Sequence, residues 1–262
     1  MASLHRHGAL TLLAALVLTT GCGPQLDLRE SSRLEALLPS PNAYPDGFDV
    51  DDLDVDEIQG VDFGGEAGAD DFGDVEPAEC GAVLNGGTGR LPSGTVEGAA
   101  QIATPSGSAQ SSAVYGYVLV SGEFGDAPVE GTGFGHLLDT CSRMSLSTGG
   151  TRMEGALVSR DSPALPEGGG MFSVTLYGER TAMAARTAWG QVGDVYFVLV
   201  GLSAGDGSDV SPYELVEACP DEIDMDCMDS HRVRMATEEN ELMAEDFEEV
   251  LSRAVEKLER AA

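Results

Sequence analysis

Alternation of apolar and polar residues is clearest after Cys80. "MFSVTLYG" (Met171 to Gly178) sets Phe172, Val174 and Leu176 against Ser173, Thr175 and Tyr177. That period of two is the mark of a half-buried strand. "AVYGYVLV" (Ala113 to Val120) is rich in β-branched and aromatic residues and reads as another strand. Thr181 to Gly205 reads as two strands around Gln191-Val192-Gly193-Asp194. Gly193-Asp194 supplies the backbone angles that a two-residue hairpin turn needs. "VYFVLV" (Val195 to Val200) is apolar throughout, which predicts a central strand. Consecutive strands joined by short turns imply an antiparallel sheet.

Helical periodicity frames this sheet. Leu34, Leu37 and Leu38 keep helical spacing until Pro39 ends the run. Gly135 to Met144 reads as a short helix. Ser211-Pro212-Tyr213-Glu214 has the form of a capping box, opening a short helix that stops at Cys219-Pro220. From Thr237 to about Arg260, Leu242, Phe247, Val250, Leu251, Ala254, Val255 and Leu258 make one apolar stripe. Glu249–Arg253 and Glu256–Arg260 support it as i,i+4 pairs on the wet side. The fold class expected is α+β: an antiparallel sheet flanked by helices, with a long C-terminal amphipathic helix.

Between the first helix and Cys80 the texture differs. Asp46 to Glu79 carries fourteen acids, no base and six glycines. Such a segment buries too little surface to offset its ordering entropy. Residues 49–76 are therefore expected to form a flexible acidic insertion. "DDLDVDEIQG" has acids at alternate positions, but Glu57 stands where an EF-hand loop needs Gly and Phe63 where it needs Glu.

The amino terminus has a different logic. Gly8 to Leu18 is apolar except for Thr11, too short to span a bilayer. It follows Arg6 and leads into Thr19-Thr20-Gly21-Cys22, which is the build of a secretory signal. Small residues before a cysteine resemble a bacterial lipobox, although Thr19 stands where that pattern usually has Leu. The expectation is a signal peptide at 1–21 and a diacylglycerol on Cys22. Cleavage near Gly23 without lipid is the plain alternative.

Cysteine count fits this. Of five cysteines, setting Cys22 aside leaves Cys80, Cys141, Cys219 and Cys227. In an oxidising compartment these read as two disulfides with three possible connectivities. Cys80–Cys141 with Cys219–Cys227 is the pairing favoured, the second closing a short acid-rich loop. No C-x-x-C pair is present to suggest zinc.

Fourteen Lys and Arg stand against 45 Asp and Glu, for a net charge of −31. That field repels nucleic acid and anionic headgroups. Catalytic motifs are wanting. H-E-x-x-H, the phosphate-binding Gly-rich loop and S-x-x-K are absent, and G-x-S-x-G occurs once, as Gly201-Leu202-Ser203-Ala204-Gly205 at the end of an apolar run. His136, Asp139 and Ser142 are the residue types of a hydrolase triad, but such triads are assembled by the fold and not by closeness in sequence. "DEIDMDCMDSH" (Asp221 to His231) reads as a solvated loop held by Cys219–Cys227. Trp189 reads as core. No cofactor and no metal site is expected.

Taken together, the lipobox-like start, "LLPSPNAYPDGF", "EPAECGAVL", "LDTCSRM", "TAWGQVGDVYFVLVG" and a closing helix resemble a known group. It is the actinobacterial envelope lipoproteins with a sensor-like domain. That domain is similar to the extracellular sensor domain of mycobacterial PknH-type Ser/Thr kinases. The resemblance implies two disulfides, a cleft for a small ligand and no catalysis. Cys80 and Cys141 match its cysteine positions best. The acidic insertion and the lack of a kinase segment depart from the pattern.

The expected organisation is a signal peptide at 1–21 and a tether with a short helix at 22–48. The acidic insertion at 49–76 and a sensor-like domain at 77–262 follow. The expected function is a lipid-anchored protein on the extracytoplasmic face of the cell membrane, binding a small molecule or an envelope partner without catalysis. The alternatives are a secreted hydrolase using His136 or His231, or a structural acidic lipoprotein without a ligand.

Overall fold

The computed structural model describes residues 29–53, 74–81, 94–107, 113–122, 124, 138–148, 151–178, 182–205, 218–219 and 225–262. Ten strands among them form one sheet. They are β1 (Arg29–Glu30), β2 (Phe48–Leu53), β3 (Asp74–Glu76), β4 (Thr95–Pro105) and β5 (Val114–Gly122). β6 (Met144–Thr148), β7 (Thr151–Arg160), β8 (Gly170–Tyr177), β9 (Ala182–Val192) and β10 (Val195–Gly205) complete it. Helix α1 (Ser32–Glu35) precedes β2, and α2 (Met225–Glu259) closes the described chain.

The order across the sheet is β1-β4-β5-β10-β9-β8-β7-β6-β3, with β2 also on β4. Every pairing is antiparallel except β1 with β4. β1 and β2 share one edge of β4, β1 at Glu97–Gly98 and β2 from Ala100 to Pro105. The expected central strand is β10, hydrogen-bonded on both sides. It follows β9 through a two-residue turn in which Gly193 adopts φ of +60°. Arg33 of α1 grips that turn, its guanidinium donating to both Asp194 oxygens at 2.8 and 3.2 Å.

Each face of the sheet has its own core. On one face Tyr115, Tyr117 and Leu119 of β5, Phe197 and Leu199 of β10 and Ala188 of β9 lie under α2. α2 runs antiparallel to β10. At one end Ala262 lies beside Gly193; at the other, Phe247 and Met243 lie on Gly201, where a side chain would meet the Phe247 ring at 2.8 Å. Met243, Phe247, Val250, Leu251, Ala254, Val255 and Leu258 are buried. The stripe is therefore the expected one, except that Met243 takes the inner place given to Leu242. Full burial is worth roughly 1.5–3 kcal/mol per large apolar side chain.

The opposite face is stapled. Cys80–Cys141 spans a sequence separation of 61 and lies fully buried among Met144, Leu146, Leu157, Phe172, Val174 and Leu176. Trp189 packs beside Phe172 at a centroid distance of 5.9 Å, continuing this core toward Val120, Tyr196 and Val198. The second disulfide, Cys219–Cys227, has a separation of 8 and ties α2 to the segment before it.

Several expectations need correction. Residues 49–53 and 74–76, given to the flexible acidic insertion, are most of strand β2 and the whole of β3. β2 packs Phe48 and Val50 against the core while Asp49, Asp51 and Asp52 face outward, so the acids stand on an edge where charge deters sheet extension. Residues 31–44, given to a tether, carry Leu34, Leu38, Ala43 and Tyr44 into the core. They belong to the domain. Residues 225–231 open α2 in place of a loop, so the helix begins twelve residues before Thr237. Residues 138–140 make only one helical turn before β6. The capping box at 211–214 lies outside the described residues.

Candidate functional site

Two groups of polar side chains lie on the face that α2 covers. The first is buried and neutral. Tyr115 and Tyr117 point from β5 under the helix, and Ser203 and Asn240 lie at its far end. The hydroxyls of Tyr115, Tyr117 and Ser203 and both amide atoms of Asn240 are sealed from solvent and without hydrogen-bond partners among the described residues. Asn240 stands one turn beyond Met243 on the same stripe, and Ser203 two residues beyond Gly201 on the same strand face. The two therefore lie toward the same end of the helix–sheet interface. Nearby, Gln101 Nε2 donates to Tyr44 Oη at 2.5 Å and to the Pro39 carbonyl at 3.1 Å.

Burial governs these phenols. Desolvation pushes the Tyr44 hydroxyl up to about 12, against the Gln101 hydrogen bond, which pulls it down. Desolvation also raises Tyr117, with a smaller push from Tyr44, and raises Tyr115, with a push from the Asp246 carboxylate. Asp246 itself is raised by partial burial and then by Glu249 and Glu245 on its own helix.

The second group lies at the flank of α2 and is charged. Arg186 of β9 stands opposite Ser173 of β8, and Ser173 stands opposite Val158 of β7. All three share the face that carries Ala184 and Ala188. Arg160, two residues on from Val158, reaches diagonally so that its Nε donates to Ser173 Oγ at 2.8 Å. Arg186 meets Glu248 of α2 at 3.5 Å, with its side chain 18% exposed. Glu248 Oε2 also accepts from Ser162 Oγ at 2.6 Å. Desolvation lowers the Arg186 pKa most; Glu248 offsets this in part, and Arg160 adds a like-charge repulsion.

α2 is latched at its other end by exposed and half-buried contacts. Arg253 donates to the Asn42 carbonyl at 2.6 Å and pairs with Glu249, and Lys257 donates to the Leu38 carbonyl. Glu256–Arg260 at 3.9 Å is exposed on both sides and is worth tenths of a kcal/mol.

Of the residues expected to matter, Cys80, Cys141, Cys219 and Cys227 are joined in the favoured pairing. Cys22 and His136 lie outside the described residues. His231 lies in α2, half-buried. Ser142 Oγ donates to the Asp139 carbonyl at 3.1 Å in an exposed turn. Among the described residues no group of three or more His, Cys, Asp or Glu is placed to hold a metal ion. No helix among them is long and apolar enough to cross a membrane.

Sequence reasoning missed the arginine pair. Its signal was present: Arg186 interrupts "AMAARTAW" at an inward position, in phase with Ala184 and Ala188. Ser173, expected on the wet side of β8, is 5% exposed, its hydroxyl held under the Arg160 side chain.

No family model and no curated protein matches the chain. A solved structure, the X-ray structure of a putative uncharacterized protein (Rv0999 ortholog) from Mycobacterium smegmatis, aligns at 16% identity and a TM-score of 0.34. The alignment covers 62% of this chain and 77% of that one.

Proposed function

We propose that this chain is an exported envelope protein, held to the extracytoplasmic face of the cell membrane by lipid on Cys22, whose α+β domain binds a ligand without catalysis. The observation that carries this reading is the disposition of the five cysteines. Four are paired within the domain, and the fifth is Cys22, which follows an apolar run and small residues. Structural disulfides form and persist in oxidising compartments, where a thiol at a lipobox is acylated. Two or three acyl chains hold a protein firmly, at about 0.8 kcal/mol per buried methylene. The sensor-like character rests on the sequence resemblance. Binding rather than hydrolysis is favoured by Ser142, whose hydroxyl is turned onto its own backbone.

Fractionation of cells expressing the wild-type chain and Cys22→Ala tests this. The wild type is expected in the membrane fraction and open to protease added outside the cytoplasm. Cys22→Ala is expected to carry no acyl chains and, once its signal run is cleaved, to leave the membrane fraction while remaining exported. Equal distribution of the two proteins, or wild type in the cytosol, would overturn the reading.

A further inference from the structure

We infer that Arg160, Arg186 and Ser173, on the sheet face beside α2, form a binding site for the oxyanion of a small carboxylate- or phosphate-bearing ligand. This rests on the reading of the domain as a binding module and names what that module would take.

Arg186 is costly to bury where it stands. A guanidinium has five N–H donors and is expensive to desolvate unless they are paired. Here the side chain is 18% exposed, and its one partner among the described residues is Glu248 at 3.5 Å. That is beyond ordinary hydrogen-bond length. Glu248 is itself shared with Ser162. A second guanidinium close by raises the cost further, since Arg160 and Arg186 repel each other. Arg160, an exposed residue, spends its Nε on Ser173, which leaves its terminal nitrogens without a partner among the described residues.

The chain has 45 acids for 14 Lys and Arg, so two adjacent arginines served by one distant carboxylate run against its composition. An oxyanion between them would accept the fork-shaped donor arrays that guanidinium groups present and cancel their repulsion. Ser173 fixes Arg160 from below. A group that served only to latch α2 would need one arginine and a short ion pair.

Glu248 separates the two accounts. In a ligand site it competes with the oxyanion; in a latch it is the partner that matters. The test is isothermal titration of the disulfide-intact full chain in nonionic detergent with inorganic phosphate, citrate and, as a cation control, methylammonium. Saturable binding of phosphate, citrate or both is expected, weakening as salt is raised. Which of the two binds tells phosphate from carboxylate ligands. Arg186→Gln and Arg160→Gln should each weaken it at least tenfold, and Glu248→Gln should tighten it severalfold. Arg186→Lys, which keeps the charge but not the fork, should fall between. Equal thermal midpoints for the variants check that each is folded.

No saturable binding of either anion would overturn the site. So would binding that survives the double arginine substitution, or a Glu248→Gln variant that binds more weakly than wild type. The wider reading fails separately, in the fractionation of Cys22→Ala, so the two failures are distinguishable.

Discussion

The two faces of the sheet are closed by different physics. One is covered by a single long helix, held by an apolar stripe and a few polar latches. The other is closed around Cys80–Cys141, a cross-link between residues far apart in sequence. The stapled face holds Met, Leu, Phe and Val, with Trp189 at its border. The helix-covered face holds the hydroxyls of Tyr115, Tyr117 and Ser203, the Asn240 amide and, at its margin, the paired arginines, whereas the other face holds one such hydroxyl, that of Tyr196. Most groups that lower stability thus lie under the cover able to move without breaking a covalent bond. Binding surfaces are drawn from such low-stability regions.

The sharpest break in that comparison is to remove each disulfide in turn. In the chain-entropy account, Cys80→Ala with Cys141→Ala should cost about 4 kcal/mol, and Cys219→Ala with Cys227→Ala about 2.5 kcal/mol. Urea unfolding of the two variants checks the order. Equal losses would mean that loop length does not set the contribution.

Phe247→Ala attacks the other cover. The ring fits against Gly201, and its loss should cost at least 3 kcal/mol. Hydrogen exchange should show faster opening in β10 and α2 than in β6–β8. Uniform acceleration would mean that the faces open as one unit.

Alkaline pH reads the buried phenols. Tyr44 titrates near 12 in the folded chain against an ordinary 10, and Tyr115, Tyr117 and Tyr196 shift in the same direction. A raised folded pKa gives stability that is fully present below pH 10 and lost as pH climbs toward 12. Tyr44 alone accounts for about 2–3 kcal/mol of that loss. Urea midpoints at pH 9 and pH 11.5, with phenolate absorbance, measure it. Tyr44→Phe should blunt the fall, and a flat profile would contradict the burial.

The smallest effect has the opposite sign. Asn240→Leu removes two buried polar atoms without partners at nearly constant volume. It should raise stability by about 1 kcal/mol. A loss would mean that the amide is satisfied in solution, by water or by a ligand.

The strands β5, β8, β9 and β10 were legible because period-two alternation, a Gly-Asp turn and an unbroken apolar run are local signals. The stripe of α2 was legible for the same reason. Its first turns were not, because Met225 to His231 is acid-rich and its helical state follows from joining a helix already packed on the sheet. β2 was hidden by its acids: only Phe48 and Val50 show the alternation, and a partner strand is needed to make it a strand. The arginine site could not be read from spacing. Arg160 and Arg186 are brought together by the β7–β8–β9 register, which no local pattern encodes.

Intact mass of the protein extracted from membranes tests the central claim most directly. The account predicts a chain that begins at Cys22, carries added acyl mass, and lacks four hydrogens relative to its fully reduced form. A chain that begins at Met1, with five thiols open to alkylation, would contradict it.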